Sequence, residues 1–366
     1  MILLRILFIN TVDLDTNGIS TFIINNAKYL VLKNYVAIAY SNNLNTELED
    51  SLLDSGINLI KLPARKKKIF SYYRKLTKII EKNKFDIVHV NGNSTTMALE
   101  LMAAKKAHCD VRIGHAHNTK TEHPILNALM YPLFNYCVTQ RFACSQEAGR
   151  WLFKEKNFSV IENGIALGKY IPNKSSREKI RSKLNLEPGD ILLTNVGGFN
   201  TQKNQELLVR VINLLPIKFK LLLIGDGVLY QKIKENVLDM GLEKRVFFSG
   251  SVDNVPDFLS ASDIFVMPSK FEGFPYALVE AQASGLTCFV SDIITKNVNL
   301  TNNVNFLSIN NPFIWKDSLL YSNYISFDER VKDNNTTMNN IISKGYSMEE
   351  NAKRLSLIYK KEVKAG

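Results

Sequence analysis

Residues 190–198 read D-I-L-L-T-N-V-G-G, a short apolar run that enters a pair of glycines and is followed by the helix-like stretch Q-E-L-L-V-R-V-I-N-L-L. A strand that runs into a glycine turn and then a helix is the opening of a βαβ unit. What decides the fold is that this opening comes second. Upstream, R-I-L-F-I-N, Y-V-A-I-A-Y, I-N-L-I-K-L, F-D-I-V-H-V, D-V-R-I-G-H and R-F-A-C-S each read as a buried strand with a helix-length segment between. The rhythm breaks at Asn163-Gly164 and at the polar stretch 172–176, restarts at Asp190, and continues through F-K-L-L-L-I-G-D-G, R-V-F-F-S-G, D-I-F-V-M-P-S and T-C-F-V-S-D. Each half opens on a strand and a glycine turn, with Gly18 in the first and Gly197-Gly198 in the second.

The economical reading is two doubly wound α/β domains in tandem, residues 1–165 and 166–345. Residues 346–366 are expected to form a helix that packs back toward the first domain, because Met348, Ala352, Leu355, Ile358 and Tyr359 recur on one side. The Asn-rich stretch 297–311 reads as loops and a weak strand.

Composition fits this reading. A chain of 366 residues exceeds one ordinary core, and 45% apolar with 22% charged residues excludes disorder as the main state. The start M-I-L-L-R-I-L-F-I-N is broken by Arg5 and leads to no small-residue cleavage site, so it reads as a strand and not a secretion signal. The most apolar later stretch, 124–140, is interrupted by Asn127, Pro132 and Asn135 and falls short of the roughly 20 apolar residues of a membrane span. Cys109, Cys137, Cys144 and Cys288 lack C-x-x-C spacing, which points away from zinc and disulfides and toward the cytoplasm.

The net charge of +11 is concentrated: residues 61–84 hold ten Lys or Arg, among them Arg65, Lys66, Lys67, Lys68, Arg74 and Lys75, against the single acid Glu81. Ile69, Phe70, Tyr73, Leu76, Ile79 and Ile80 fall at helix spacing, so the segment is expected to pack one face and display its cations on the other. A solvated face, an anionic membrane and nucleic acid all suit such a surface. No helix-turn-helix, RNA-binding or zinc pattern accompanies it, and no nucleic-acid partner is expected.

The chemistry concentrates in S-K-F-E-G-F-P-Y-A-L-V-E-A-Q-A-S-G-L, residues 269–286, which follows the strand D-I-F-V-M-P at the end where open parallel sheets bind ligands. Pro275 suits a first helical turn and Gly285 a helix exit. Glu272 then lies in a loop and Glu280 inside the helix, and the amides after Phe274 are placed to hold a phosphate. Taken alone, two glutamates eight positions apart are as well explained by a loop charge and a helix surface.

This stretch resembles the signature of retaining GT-B glycosyltransferases of the glycosyltransferase family 4 kind. So do, in family order, N-G-I-S-T-F-I-I-N, F-D-I-V-H-V, H-A-H-N, A-C-S-Q-E-A-G-R-W-L-F, I-E-N-G-I, V-G-G-F-N-T-Q-K-N and L-L-L-I-G-D-G. The resemblance implies a GT-B fold of two Rossmann-like domains facing across a cleft, with the donor held mainly by the second and the acceptor by the first. It assigns Lys203 to the donor diphosphate, Glu272 to the transferred sugar, Glu280 to the ribose, and Gly18 to the N-terminal glycine loop. Gly197, Gly198, Gly273, Phe274 and Tyr276 complete the expected donor site. The active-site histidine is His115 or His117, and the strand register favours His117; His89 reads as packing.

Two departures stand out. Gly198 occupies a position where many relatives carry arginine, and Ser20 one where close relatives carry an acid. They make a non-catalytic partner of another transferase the alternative to an enzyme.

With no second carboxylate poised as a nucleophile, the expected mechanism is front-face attack with retention. Lys203 replaces a divalent metal, and no separate cofactor is required. A UDP-sugar donor, a lipid-linked glycan acceptor of the capsule or exopolysaccharide kind, and a peripheral place on the anionic inner face of the membrane complete the expectation.

Overall fold

The structure is a computed structural model and describes residues 3–15, 17–44, 46–121, 123–272 and 274–365. The chain forms two compact units, Met1–Gly164 with Ser347–Gly366, and Ile165–Tyr346.

In the first unit the strands are β1 (Arg5–Asn10), β2 (Tyr35–Tyr40), β3 (Asn58–Lys61), β4 (Ile87–Gly92), β5 (Val111–Ala116), β6 (Gln140–Ala143) and β7 (Ser159–Val160). The helices between them are α1 (Gly18–Leu30), α2 (Thr46–Asp54), α3 (Ile69–Asn83), α4 (Ala98–Lys106), α5 (Pro124–Cys137) and α6 (Gln146–Phe153). All pairings are parallel, in the order β3-β2-β1-β4-β5-β6-β7.

Side chains alternate across a strand, so Leu7 and Ile9 face α3, α4, α5 and α6, while Ile6 and Phe8 face α1 and α2. Both faces are covered, which is why the strands read as unbroken apolar runs.

The second unit contains β8 (Ile191–Val196), β9 (Phe219–Ile224), β10 (Val246–Gly250), β11 (Ile264–Met267), β12 (Thr287–Ser291) and β13 (Val304–Leu307), parallel in the order β10-β9-β8-β11-β12-β13. Its helices are α7 (Lys174–Lys183), α8 (Gln205–Leu214), α9 (Tyr230–Asp239), α10 (Val255–Ala261), α11 (Tyr276–Ala283), α12 (Pro312–Leu320), α13 (Phe327–Lys332) and α14 (Asn334–Ser343).

Buried polar groups here close loops. Asp263 accepts from Arg177 at 2.7 Å, Arg181 at 2.9 Å and the Leu192 amide at 2.8 Å. Arg330 donates to the carbonyls of Leu259, Ser262 and Ser284. The last helix, α15 (Met348–Ala365), belongs to the first unit, where Ala352, Leu355 and Tyr359 are fully buried.

Strand order reverses between β1 and β4 in one sheet and between β8 and β11 in the other. These are the two crevices where an open sheet can take a ligand.

The basic segment differs from its sequence reading. Tyr72, Leu76, Thr77 and Ile80 form the packed face of α3, whereas Ile69 and Phe70 stand exposed beside Lys66, Lys67 and Lys68. Arg65 is no surface cation at all. Its guanidinium grips the fully buried Glu100 at 2.6 and 3.1 Å and donates to the Thr96 carbonyl at 2.9 Å, and the buried Tyr72 hydroxyl bonds the same carboxylate. Among the described residues Arg65 is the one cation ion-paired with Glu100, and it alone of the run of four turns inward.

Breaking a buried pair on one side leaves an uncompensated charge and destabilises by about 3–5 kcal/mol. Arg65→Met is therefore expected to lower the unfolding free energy of the first unit by that amount, read from denaturant titration. Arg65→Met with Glu100→Met recovers most of it, whereas Lys67→Met changes it by less than about 0.5 kcal/mol. Equal effects of Arg65→Met and Lys67→Met contradict the assignment.

Candidate functional site

At the second switch point the turn after β8 and the turn after β9 meet backbone on backbone. A side chain on Gly225 (φ +134°) would fall 2.3 Å from the Gly197 carbonyl oxygen, and one on Gly227 (φ +153°) 2.6 Å from that of Phe199. Only glycine permits this approach. The loop 197–204 is thereby pressed close to the sheet.

Lys203 is aimed by this loop. Its amide donates to Asn200 Oδ1 at 3.0 Å, and its stem crosses Gly197, where a β-carbon would sit 3.1 Å from Lys203 Cε. Its ammonium reaches Glu272 Oε1 at 2.8 Å, in a pair that is largely but not wholly buried. Two further bonds zip this loop to the one after β11: Lys270 N–H to the Gln202 carbonyl at 2.8 Å, and the Gln202 amide to the Phe271 carbonyl at 2.9 Å. The two residues that the resemblance assigns to different parts of a donor are thus bonded to each other. An ammonium has three donors, so the pair with Glu272 leaves capacity for an anionic oxygen.

Glu280 differs from a ribose acceptor on an open helix surface. Its carboxyl is half-buried and the Tyr170 hydroxyl bonds it; burial pushes the carboxyl pKa up, and the tyrosine pulls it part of the way back. A carboxylate has two oxygens, so one bond from Tyr170 does not saturate it.

The start of α11 also offers less than expected. Pro275 is its N-cap and not its first residue; the Tyr276 amide is bonded to the Phe274 carbonyl, and those of Leu278 and Val279 to the Pro275 carbonyl. The Phe274 ring packs edge-on to Tyr276 at 4.5 Å and stacks on Tyr346 at 5.7 Å. Gly285 ends the helix at φ +72°. Gly273 lies outside the described residues. At Gly198 a β-carbon would meet only ordinary contacts, 3.5 Å to the Asp226 carbonyl and 3.7 Å to Asn200, so nothing at the backbone excludes the missing arginine.

At the first switch point Asn17 caps α1 by accepting from the Ser20 amide at 3.0 Å, and Gly18 opens the helix. Ser20 is buried, and its hydroxyl accepts from Asn10 at 3.1 Å and the Asp15 amide at 3.0 Å. It staples Asp13 and Asp15 of the loop after β1, which accounts for a small hydroxyl there.

Three histidines form a buried row. His89 Nδ1 meets the Tyr359 hydroxyl, His89 Nε2 lies 3.1 Å from His115 Nδ1, and the His115 ring stacks on His117 at 4.1 Å. Phe22 closes the row edge-on at 4.7 Å from His115. Burial holds all three pKa values down, that of His117 to about 3, so all are neutral at physiological pH.

Asn91 fixes the tautomer of His117. Its side-chain amide donates to the His89 carbonyl at 3.1 Å, which turns Oδ1 toward His117 Nε2 at 2.9 Å. Nε2 therefore carries the proton, and Nδ1, buried and without a partner, is a bare acceptor. Tyr170, Asn91 and Tyr359 escaped the sequence reading, since each acts on a residue remote from it in sequence or in another element.

Among the described residues no three His, Cys, Asp or Glu side chains are grouped to hold a metal ion, and no helix is long and apolar enough to cross a membrane.

Two Rossmann-like units, each with polar side chains gathered at its switch point, are the architecture of the GT-B glycosyltransferases. The solved structure of Anabaena Alr3699/HepE in complex with UDP and glucose superposes over 98% of this chain and 100% of that one with a TM-score of 0.80, at 14% identity. Residues 16–169 match the family described as Glycosyltransferase Family 4, and residues 176–312 the one described as Glycosyl transferases group 1. A Bacillus subtilis (strain 168) protein bearing the provisional name glycosyltransferase EpsF is 31% identical over 74% of this chain and 75% of its own. The UDP-Gal:alpha-D-GlcNAc-diphosphoundecaprenol alpha-1,3-galactosyltransferase of Escherichia coli is 35% identical over 61% and 62%. The chain belongs to the glycosyltransferases of the family 4 type.

The row of neutral histidines has a thermodynamic signature. Each has a folded pKa below its unfolded value near 6.5, so the unfolded chain binds more protons as pH falls. Stability is complete above about pH 6.5 and is lost below it, at up to about 1.4 kcal/mol per pH unit per histidine. Denaturant unfolding of the first unit between pH 6.5 and 5 is expected to show this slope, and His117→Gln to reduce it by about a third. A slope unchanged by the substitution contradicts a neutral, buried His117.

Proposed function

We propose that the chain is a retaining, metal-independent glycosyltransferase that moves a sugar from a UDP-sugar to a lipid-linked saccharide in surface polysaccharide biosynthesis, at the inner face of the membrane. The observation that carries this reading is the Lys203–Glu272 pair on zipped loops at the second switch point, with Glu280 on the helix that follows.

In this reading a diphosphate takes the free donors of Lys203, and Glu272 remains bonded to the ammonium while it accepts from hydroxyls of the transferred sugar. Gly18, Gly197, Gly198, Gly273 and the backbone at Phe274 and Tyr276 line the donor. Glu280, oriented by Tyr170, accepts from the ribose. Negative charge on the diphosphate grows as the anomeric bond breaks, so a fixed ammonium stabilises the transition state more than the bound donor. That is the service a divalent metal supplies elsewhere.

The acceptor hydroxyl attacks from the face the phosphate leaves. The departing phosphate oxygen takes its proton, and no residue has to act as the base. His117, neutral and with only Nδ1 available, accepts a hydrogen bond from a sugar hydroxyl and orients it.

The acceptor class is supported by the substrate that names the Escherichia coli relative, a sugar on a diphospho-lipid, and by the exposed cations Lys66, Lys67, Lys68, Arg74 and Lys75 of the first unit. Arg65 takes no part, since it is bonded to Glu100.

Charge-assisted hydrogen bonds are worth about 1.5–3 kcal/mol, so Glu280→Gln is expected to weaken UDP binding by about one to two orders of magnitude in calorimetry. Lys203→Ala also lowers kcat, because its contact strengthens toward the transition state. Unchanged affinity in Glu280→Gln places the ribose elsewhere. The product is expected to keep the donor's anomeric configuration by NMR, and turnover to persist in excess chelator. An inverted product, or activity lost in chelator and restored by Mn²⁺, overturns the mechanism; UDP binding without any donor turnover makes the chain a passive partner.

A further inference from the structure

The helix α5 has no charged residue along its whole length, P-I-L-N-A-L-M-Y-P-L-F-N-Y-C, yet it is buried on one side only. Phe134 and Cys137 enter the core that α3, α4 and α6 share, and Asn127 clamps the helix to Thr95, accepting from its amide at 2.8 Å. The opposite side carries Ile125, Leu129 and Tyr136, exposed at 77, 72 and 70%, with Leu126 at 45%. At 100° per residue Ile125, Leu129 and Tyr136 fall within roughly 40° of arc, a single stripe. A single exposed apolar residue needs no explanation, but a helix that is apolar on its exposed side as well belongs either in a core or in a lipid environment.

The surroundings select the occupant. Lysines from separate elements border the stripe: Lys105 of α4 lies 3.2 Å over the Tyr136 ring, Lys154 lies 4.4 Å over Tyr131, and Lys120 is exposed in the loop ahead. The same helical layer carries the exposed Lys66, Lys67, Lys68, Arg74 and Lys75 on and just before α3, with Ile69 and Phe70 exposed among them. An apolar stripe framed by tyrosines and lysines matches the depth profile of an anionic bilayer, with hydrocarbon at the centre and headgroups at the rim.

A second copy fits badly. An isologous contact would set this basic rim against itself, and four side chains fall far short of the about 20–30 residues a side of a stable interface.

We infer that α5 is the element by which this protein enters the membrane surface: its Ile125–Leu129–Tyr136 stripe inserts among the acyl chains of an anionic leaflet while the lysines around it hold the headgroups. This deepens the lipid-linked acceptor reading and rests on it only for its purpose. Six residues, 118–123, join His117 to the start of α5, a reach of at most roughly 20 Å when extended. Insertion there brings a sugar on a diphospho-lipid to the edge of the first sheet without lifting its lipid from the bilayer.

The test needs no turnover. All four native cysteines are buried, so Leu129→Cys supplies one accessible thiol for an environment-sensitive fluorophore, and Leu53→Cys, on α2 across the sheet, supplies the control. With vesicles of phosphatidylglycerol and phosphatidylcholine, the label at 129 is expected to shift to the blue and to be quenched by nitroxide on the acyl chains, and the label at 53 to do neither. Ile125→Ser with Leu129→Ser should lower vesicle partitioning at least about tenfold and remain effective in high salt. Replacing Lys66, Lys67 and Lys68 with Gln should weaken partitioning only at low salt.

A water-like label at 129 while the protein sediments with vesicles overturns the insertion and leaves binding to the cations alone. Absence of vesicle binding, or dispersal of a dimer by the double serine change, overturns it in favour of a protein partner. UDP affinity of the double variant should equal that of the parent, so failure of the donor site and failure of the membrane face are read separately.

Discussion

Helices cover both faces of each parallel sheet, so a side chain pointing from the middle of any strand enters an apolar layer and must leave its polar groups bonded. The interior obeys this at some length. Thr194 and Ser262 bond each other at 2.6 Å, and His89 is closed off by Tyr359. Burying such groups unpaired costs about 1–3 kcal/mol each. Chemistry is thereby expelled to the strand ends. Where the strand order reverses, neighbouring loops diverge and leave space, and both clusters of candidate side chains lie there.

This constraint explains what could be read from the chain and what could not. A strand buried on both faces announces itself as a continuous apolar run, and each run read as a strand in the sequence became one. The two-residue β7 has no such run, because it only completes the edge of a sheet. Glu272 and Lys203 are each legible within a local motif, but their pairing is a property of two loops brought together by Gln202. The Tyr170–Glu280 bond, and the choice by Glu100 of Arg65 from among four consecutive cations, belong to tertiary structure alone. Periodicity placed Ile69 and Phe70 on the packed side of α3; the helix begins there, and its first turn projects beyond the core that Tyr72 and Leu76 reach.

The stretch 124–140 shows the same limit from the other side. Its polar interruptions exclude a membrane span, and the sequence offers no sign of which face is covered. Asn127 turns out to be a clamp to Thr95 and Asn135 a partner of Arg141, both directed toward protein. The residues that break the hydropathy pattern are therefore those that fix the helix, and the exposed stripe is as apolar as a core.

The two switch points are electrically unlike. In the first unit burial keeps three histidines neutral, and Asn91 leaves His117 with a lone pair and no proton to offer, a group suited to an uncharged hydroxyl. In the second unit a lysine stands with one carboxylate bonded to it and another on the following helix, a site that keeps a positive donor facing an anion without presenting a bare charge to an empty crevice. A nucleotide-sugar is itself divided in this way, since its diphosphate carries charge and its sugar carries only hydroxyls. In the proposed reading the neutral His117 suits the hydroxyls and the paired Lys203 suits the diphosphate, where charge develops as the bond to the leaving group breaks.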